Sequence, residues 1–370
     1  MTYARARLLV GITAVGIWVI AAMAFLSAGG PSALPGPDAD FSDQAASLAA
    51  VLGVYVVVSL PFDALGGYIL PRRFGRRCPD RDAWVLAWAR GVLVQAVVMV
   101  LAVLAVIAAG RAGGFGAAIV VVAVLAQLIG VARVPLARMV ADLGPERRMA
   151  SGAGGAAGYD VVLMAADDPG FTGGIAGFGG RVIIPEVWTH ELGSDLDVEI
   201  TRRRSVAYGP CWYGLLLAAT WTVGGVAIAV ALPGGGVESV GQVVAVGAWF
   251  TLWSFIGLLV LPSVSRPGVM AADAAAAAQY PADRVARVIR ILDGLQDDEP
   301  DRPNAVEVIF HPIPSADRRI ARLGSPRPRV RPWHVARMAL PMSWCMLGLL
   351  GRAVHCNAGR PELWVMLPSD

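Results

Sequence analysis

The sequence predicts an α-helical polytopic membrane protein with about six transmembrane helices and a cytoplasmic part that mixes helix with strand. Three observations carry that expectation. The 370 residues are 56% hydrophobic and only 16% charged, with a mean hydropathy of +0.59, which excludes an ordinary soluble domain. Six apolar runs are each long enough to cross a bilayer as helix, a path of about 20 residues. Arginines gather in alternate loops, the pattern left when positively charged loops stay in the cytoplasm.

The runs fall at 8–27, 48–70, 91–109, 114–131, 212–232 and 243–262. The first follows Arg5 and Arg7 and precedes Ser27-Ala28-Gly29, as a signal peptide would, but its apolar core is too long for one, so a retained helix is expected. The second holds Asp63 near its cytoplasmic end beside Pro61. A carboxylate inside a membrane is a functional candidate by default, yet at this shallow depth snorkelling or capping explains it equally well. Gln95 and Gln127, in the third and fourth runs, read as interhelical hydrogen bonders. The loop after the second run carries Arg72, Arg73, Arg76, Arg77, Arg81 and Arg90; Arg133, Arg138, Arg147 and Arg148 follow the fourth; Arg202 to Arg204 precede the fifth. The opposite loops, 29–47 and 233–242, hold acids and no arginine. Both termini and the polar regions are therefore expected on the cytoplasmic side of a bacterial inner membrane, with only Arg111 out of place.

The chain has no lysine, and with a net charge of +3 its basic clusters read as topology determinants and anionic-lipid contacts, not nucleic-acid sites. The lipid bilayer is thus the first expected partner. Cys78, Cys211, Cys345 and Cys356 form no CxxC pair, which argues against disulfides in that compartment and against a zinc ribbon.

Four parts follow: an N-terminal membrane region (1–139), a polar segment (140–211), a membrane hairpin (212–262) and a C-terminal region (263–370). The polar segment opens with a glycine-rich stretch at 151–155. Residues 159–165 and 181–185 are β-branched runs read as a pair of strands, with Gly173-Gly174 and Gly179-Gly180 supplying turns between them. A helix is expected over 192–204, starting near Ser194, Asp195 and Asp197. In the C-terminal region, 271–278 is helical by its alanine content. Residues 283–295 place Val285, Val288, Ile289 and Leu292 at amphipathic spacing. An acidic loop follows at 297–303. The apolar piece 338–351 is too short to span and reads as interfacial or packed on the bundle. His334, His355 and Cys356 lie in this tail without ligand spacing.

Three short stretches then point to a family. Pro169-Gly170-Phe171-Thr172-Gly173-Gly174 is similar to an "NAFxTG" strand segment, Ser265-Arg266-Pro267-Gly268-Val269-Met270-Ala271-Ala272-Asp273 to "SRxxEFxAD", and His311-Pro312-Ile313-Pro314-Ser315-Ala316-Asp317-Arg318-Arg319-Ile320 to "HPPxxxRI". In that order, over 159–323 and with one membrane hairpin between the first two, the chain resembles the HtpX-type membrane metalloproteases, relatives of the CAAX prenyl proteases. The resemblance implies that the cytoplasmic part is an α+β zincin-like domain, that Phe171 to Gly174 line a substrate groove, and that His311 and Arg318 support the site.

It also implies a zinc centre: two His one helical turn apart, a Glu beside the first as general base, and a third ligand from a second helix. Counted from Leu192, the HExxH positions fall on Arg203, Arg204, Ser205, Val206 and Ala207, and the third ligand on Val269, with Asp273 of the same motif kept. Arg203, Arg204, Ala207, Val269 and Asp273 are then vestigial positions, and no cofactor is expected. Glu199, four residues before Arg203, is placed to pair with the arginines. A rival registration, His190-Glu191-Leu192-Gly193-Ser194, puts Ser where the second His belongs; an unconventional metal site would then draw on His190, Glu191 and His311. The function expected is that of a pseudopeptidase able to bind extended polypeptide by strand addition along 171–175, which needs backbone hydrogen bonds and no metal. An active peptidase with the unconventional site, and a membrane scaffold or transporter, are the alternatives. No buried charge network or broken-helix pair favours the last.

Overall fold

A computed structural model describes residues 1–141, 143–149, 160–176, 180–324 and 331–366. The glycine-rich stretch 151–155 lies outside the described residues. Among the described residues, five helices are long and apolar enough to cross a membrane. The first two, α1 (Tyr3–Ser27) and α2 (Phe41–Ala64), match the first two runs. The third, α3 (Arg81–Val131), covers two runs at once. A straight helix of 51 residues would be about 75 Å long. However, the Arg90 guanidinium donates to the carbonyls of Arg138 and Met139, at 2.7 and 3.0 Å, so the two ends lie side by side. The chain reverses at Gly113 and Gly114, whose backbone is non-helical, with φ of +66° at Gly114 that glycine tolerates best. The two halves correspond to runs 91–109 and 114–131.

A short helix, α4 (Arg133–Val140), leads to a four-stranded sheet: β1 (Arg147–Arg148), β2 (Val161–Met164), β3 (Gly174–Ala176) and β4 (Arg181–Pro185). The strand order is β1-β2-β4-β3. The two expected strands do pair, but in parallel, Val161 opposite Val182 and Met164 opposite Pro185. The reason is that 171–176 turns back as an additional antiparallel edge strand, with Gly174 opposite Ile183. Gly173 sits at φ +67° with its Cα against the Ile183 carbonyl, where no side chain fits.

The helix expected over 192–204 starts later: a short α5 (Trp188–Glu191) precedes it, Gly193–Asp195 form a 3₁₀ turn, and α6 runs over Leu196–Val206. Then come α7 (Gly209–Val230) and α8 (Val240–Ala277), which cover the fifth and sixth apolar runs, the latter continuing into the polar region. Helices α9 (Ala282–Gln296), α10 (Asn304–Phe310) and α11 (Ala316–Ile320) complete that region.

The tail, containing α12 (Val335–Met342) and α13 (Leu350–Ala353), is the main departure from expectation. None of residues 333–366 is exposed. The segment enters beside the start of α7, where the Trp333 amide donates to the Pro210 carbonyl. It turns at Leu347 (φ +57°), packed on Gly247 of α8, and the Tyr55 hydroxyl donates to the Leu349 carbonyl. It returns to the far ends of α2 and α3, where Gly359 lies on Gly67 and Trp364 on Gly91. Irregular backbone survives at this depth because surrounding protein, not lipid, covers it.

Asp63 explains the return path. It is buried, accepts from Trp88 Nε1 and the Gly359 amide at 2.9 Å each, and pairs with Arg352 of the tail. Arg352 also donates to Gln95 Oε1 at 3.3 Å. A buried charge network therefore exists here, contrary to the sequence reading. Snorkelling or capping does not account for Asp63, and Gln95 bonds to the tail and not to another spanning helix. Arg111 also finds its place: it donates to the carbonyls of Glu238 and Ala39 and stacks on Phe41, tying together the two arginine-poor loops at one end of the bundle.

Candidate functional site: a buried arginine–carboxylate network

Helix α6 begins after Asp195, which is held by Arg284 at 2.8 Å and Arg287 at 3.0 Å from α9. This fixes the rotation of α6, so Glu199, Arg202 and Arg203 all point inward and are at most 1% exposed. The two arginines then diverge. Arg202 turns to α8, where its Nε donates to Asp273 Oδ1 at 2.7 Å, and its other side pairs with Glu199. Arg203 turns to the sheet: it donates to Glu199 Oε1 and to the Ile183 carbonyl, both at 2.7 Å, and stacks 4.8 Å above the Trp188 ring. From the opposite side Arg319 of α11 grips Asp273, Nε to Oδ2 and Nη2 to Oδ1 at 2.9 Å each. Two carboxylates and three guanidiniums thus close on one another with almost no solvent.

Such burial is costly for each ion and holds only because the charges and hydrogen bonds compensate one another. The five ions of this cluster carry a net positive charge, which disfavours a divalent cation. Among the described residues, no group of three or more His, Cys, Asp and Glu is assembled to hold a metal. The residues present do not fit the zinc centre that the motif resemblance implies.

The individual positions divide as follows. The pairing of Glu199 with Arg203 is present, and Asp273 is bound by Arg202 and Arg319. Arg204 is half-buried and Ala207 is buried just past the end of α6, beside Gly180. Val269 is fully buried on α8, one turn before Asp273. Phe171, Thr172, Gly173 and Gly174 are buried, not an open rim. They lead into β3, which is an edge strand, and Arg133 donates to its Ile175 carbonyl. Arg318 points away, to Glu307 at 3.2 Å; its neighbour Arg319 is the one that reaches the site. His190 and Glu191 are exposed on α5, while His311 is buried against His355, ring centroids 5.0 Å apart.

His311 belongs to a second polar cluster behind Arg319, which reading for ligand spacing missed. Burial, reinforced by the Arg302 charge, pulls its imidazole down to about 3. Burial would raise Asp297, but Arg302 and Arg7 outweigh it and hold the carboxyl below the usual range. Burial pushes Asp293 up to about 6 against the pull of Arg302. The acidic loop read from the sequence is the partner of the N-terminal arginines: Arg5 meets Glu299 at 2.9 Å and Arg7 meets Asp297 at 3.5 Å. Several arginines taken for topology or lipid contacts are therefore internal ions.

Comparison with known proteins gives a likeness in fold. The crystal structure of S. mikatae Ste24p superposes with a TM-score of 0.62 over 84% of this chain and 80% of that one, at 9% sequence identity. No protein-family model matches the sequence. No curated protein matches it either.

Proposed function

We propose that this chain is a non-hydrolytic relative of the HtpX-like and CAAX prenyl protease-like membrane peptidases, a pseudopeptidase with six spans and cytoplasmic termini. Its fold resembles that of Ste24p, a CAAX prenyl protease, which supports the architecture. One observation carries the rest: a guanidinium, Arg202, is buried between Glu199 and Asp273 at the junction of α6 and α8. These contacts favour a register of the family motif that begins at Val198. In it Val198-Glu199-Ile200-Thr201-Arg202 takes the place of HExxH, the general-base Glu is kept, and the two His become Val and Arg. A base without a metal-bound water has nothing to activate.

The remaining function is recognition of extended polypeptide. Strand β3 is one of the two sheet edges, and the guanidinium of Arg133 on its Ile175 carbonyl is the group an added strand displaces. The test is cleavage of unfolded polypeptide by the purified protein with and without chelator, alongside cross-linking of the same polypeptide near β3. No chelator-sensitive cleavage is expected, and Arg133→Ala should increase cross-linking. Chelator-sensitive cleavage would overturn this reading and direct attention to His190, Glu191 and His311.

A further inference from the structure

Two cavities meet near the N-terminal end of α1. The first is polar, with a volume of about 40 Å³, and its walls include Arg7, Arg302, Arg337, Asp297, His311 and His355. Arg319 and Arg360 also reach it, but they are committed to Asp273 and Asp168. Arg7 and Arg302 are 3% and 5% exposed, and the Nε–H of each has no hydrogen-bond partner. Both share Asp297, at 3.5 and 2.9 Å, and Arg302 also lies 3.6 Å from Asp293. Glu299 also lies 3.7 Å from the Arg302 Nε, so three carboxylates flank the arginines, yet the two buried Nε–H donors remain without a hydrogen bond that an additional anionic oxygen would supply.

The second cavity is apolar, about 250 Å³, and runs between α1 and α8 past Leu8, Ile12, Gly16, Leu258 and Pro262. Arg337, His355 and Cys356 line both cavities, so they adjoin. The groove climbs α1 into its apolar length, while the polar cavity stays at the end that carries Arg5 and Arg7. Beside the mouth, α10 exposes Val308 and Ile309, at 42% and 38%, as a segment resting on a membrane surface does.

We infer that the joined cavities form a binding site for one anionic phospholipid, its phosphodiester at Arg7 and Arg302 and an acyl chain in the groove between α1 and α8. Charge complementarity selects the occupant: the choline of a zwitterionic lipid brings a further cation among the arginines that line the polar cavity, and a free phosphate leaves the groove unfilled. The site is independent of whether the Glu199–Arg202 pair has replaced a metal.

The test uses the full chain in detergent, with phosphatidylglycerol, phosphatidylcholine or inorganic phosphate added, read by thermal unfolding and by lipid retained in native mass spectrometry. Phosphatidylglycerol should be retained and stabilising, and phosphatidylcholine and phosphate should not. Arg7→Gln should reduce the preference for the anionic lipid about fivefold, the effect of one arginine on an anionic headgroup. Gly16→Leu should abolish retention with the fold intact, because a side chain at Gly16 meets nothing within 4 Å and leucine favours helix. Equal retention of both lipids, stabilisation by phosphate alone, or retention unchanged in Gly16→Leu would each overturn the proposal; the last keeps it falsifiable if Arg7→Gln does not fold.

Discussion

Asp273 is held by arginines 71 residues before it and 46 after it, and this pairing joins three separate helices. Replacing it by Asn leaves Arg202 and Arg319 buried with their charge uncompensated, at a cost of about 3–5 kcal/mol. Thermal unfolding in detergent should show that loss for Asp273→Asn. The triple replacement Asp273→Leu, Arg202→Met and Arg319→Met should recover most of it, since well-packed apolar groups often match a buried ion network. A single variant as stable as the parent would contradict the network. The Glu199–Arg203 pair was legible as a four-residue spacing on a helix. The partners of Asp273 were not, because no local periodicity encodes a contact across 46 or 71 residues. The same blindness hid the buried histidines, where the sign of the pH effect can be worked out. His311 has a folded pKa near 3, below its ordinary 6.5, so the unfolded chain binds the extra proton between those values. Stability therefore falls on acidification below pH 6.5, by up to about 2 kcal/mol at pH 5. Asp293, raised to about 6, acts oppositely above its ordinary 3.8. The stability difference between pH 7 and pH 5 should consequently shift in favour of pH 5 in His311→Gln, and a difference equal to the parent's would refute the assignment.

Among the elements, the apolar helices were readable because twenty or so apolar residues leave an unambiguous mark in composition. The short strands at 161–164 and 181–185 were readable from β-branching. Their parallel pairing was not, since it depends on 171–176 folding back as β3. The tail was the hardest. Its apolar piece at 338–351 is indeed packed on the bundle, but as a buried excursion between helices, a role that imposes no helical period and no fixed length. Its seat depends on close backbone approach: a side chain at Gly67 collides with the Gly359 carbonyl. Gly67→Val should release the tail, making 333–366 accessible to limited proteolysis. Gly53→Ala, on the same helix but with nothing within 4 Å, should leave the cleavage pattern unchanged. Equal protection in both variants would show that the tail is held elsewhere.

For the whole molecule, Arg111 lies with the loops before α2 and α8, and the arginine-rich segments lie at the other end with the sheet and the ion network. A reporter fused at Gly235 should be extracytoplasmic and one placed within 151–158 cytoplasmic; the reverse result would invert the protein in the membrane. In the function proposed, the Arg202 guanidinium takes the place of a metal at the junction of α6 and α8. Metal analysis of the purified, detergent-solubilised chain tests it most directly. Far less than one zinc per chain is expected, with an unfolding temperature unmoved by chelator. One zinc per chain, lost to chelator together with stability, would contradict it.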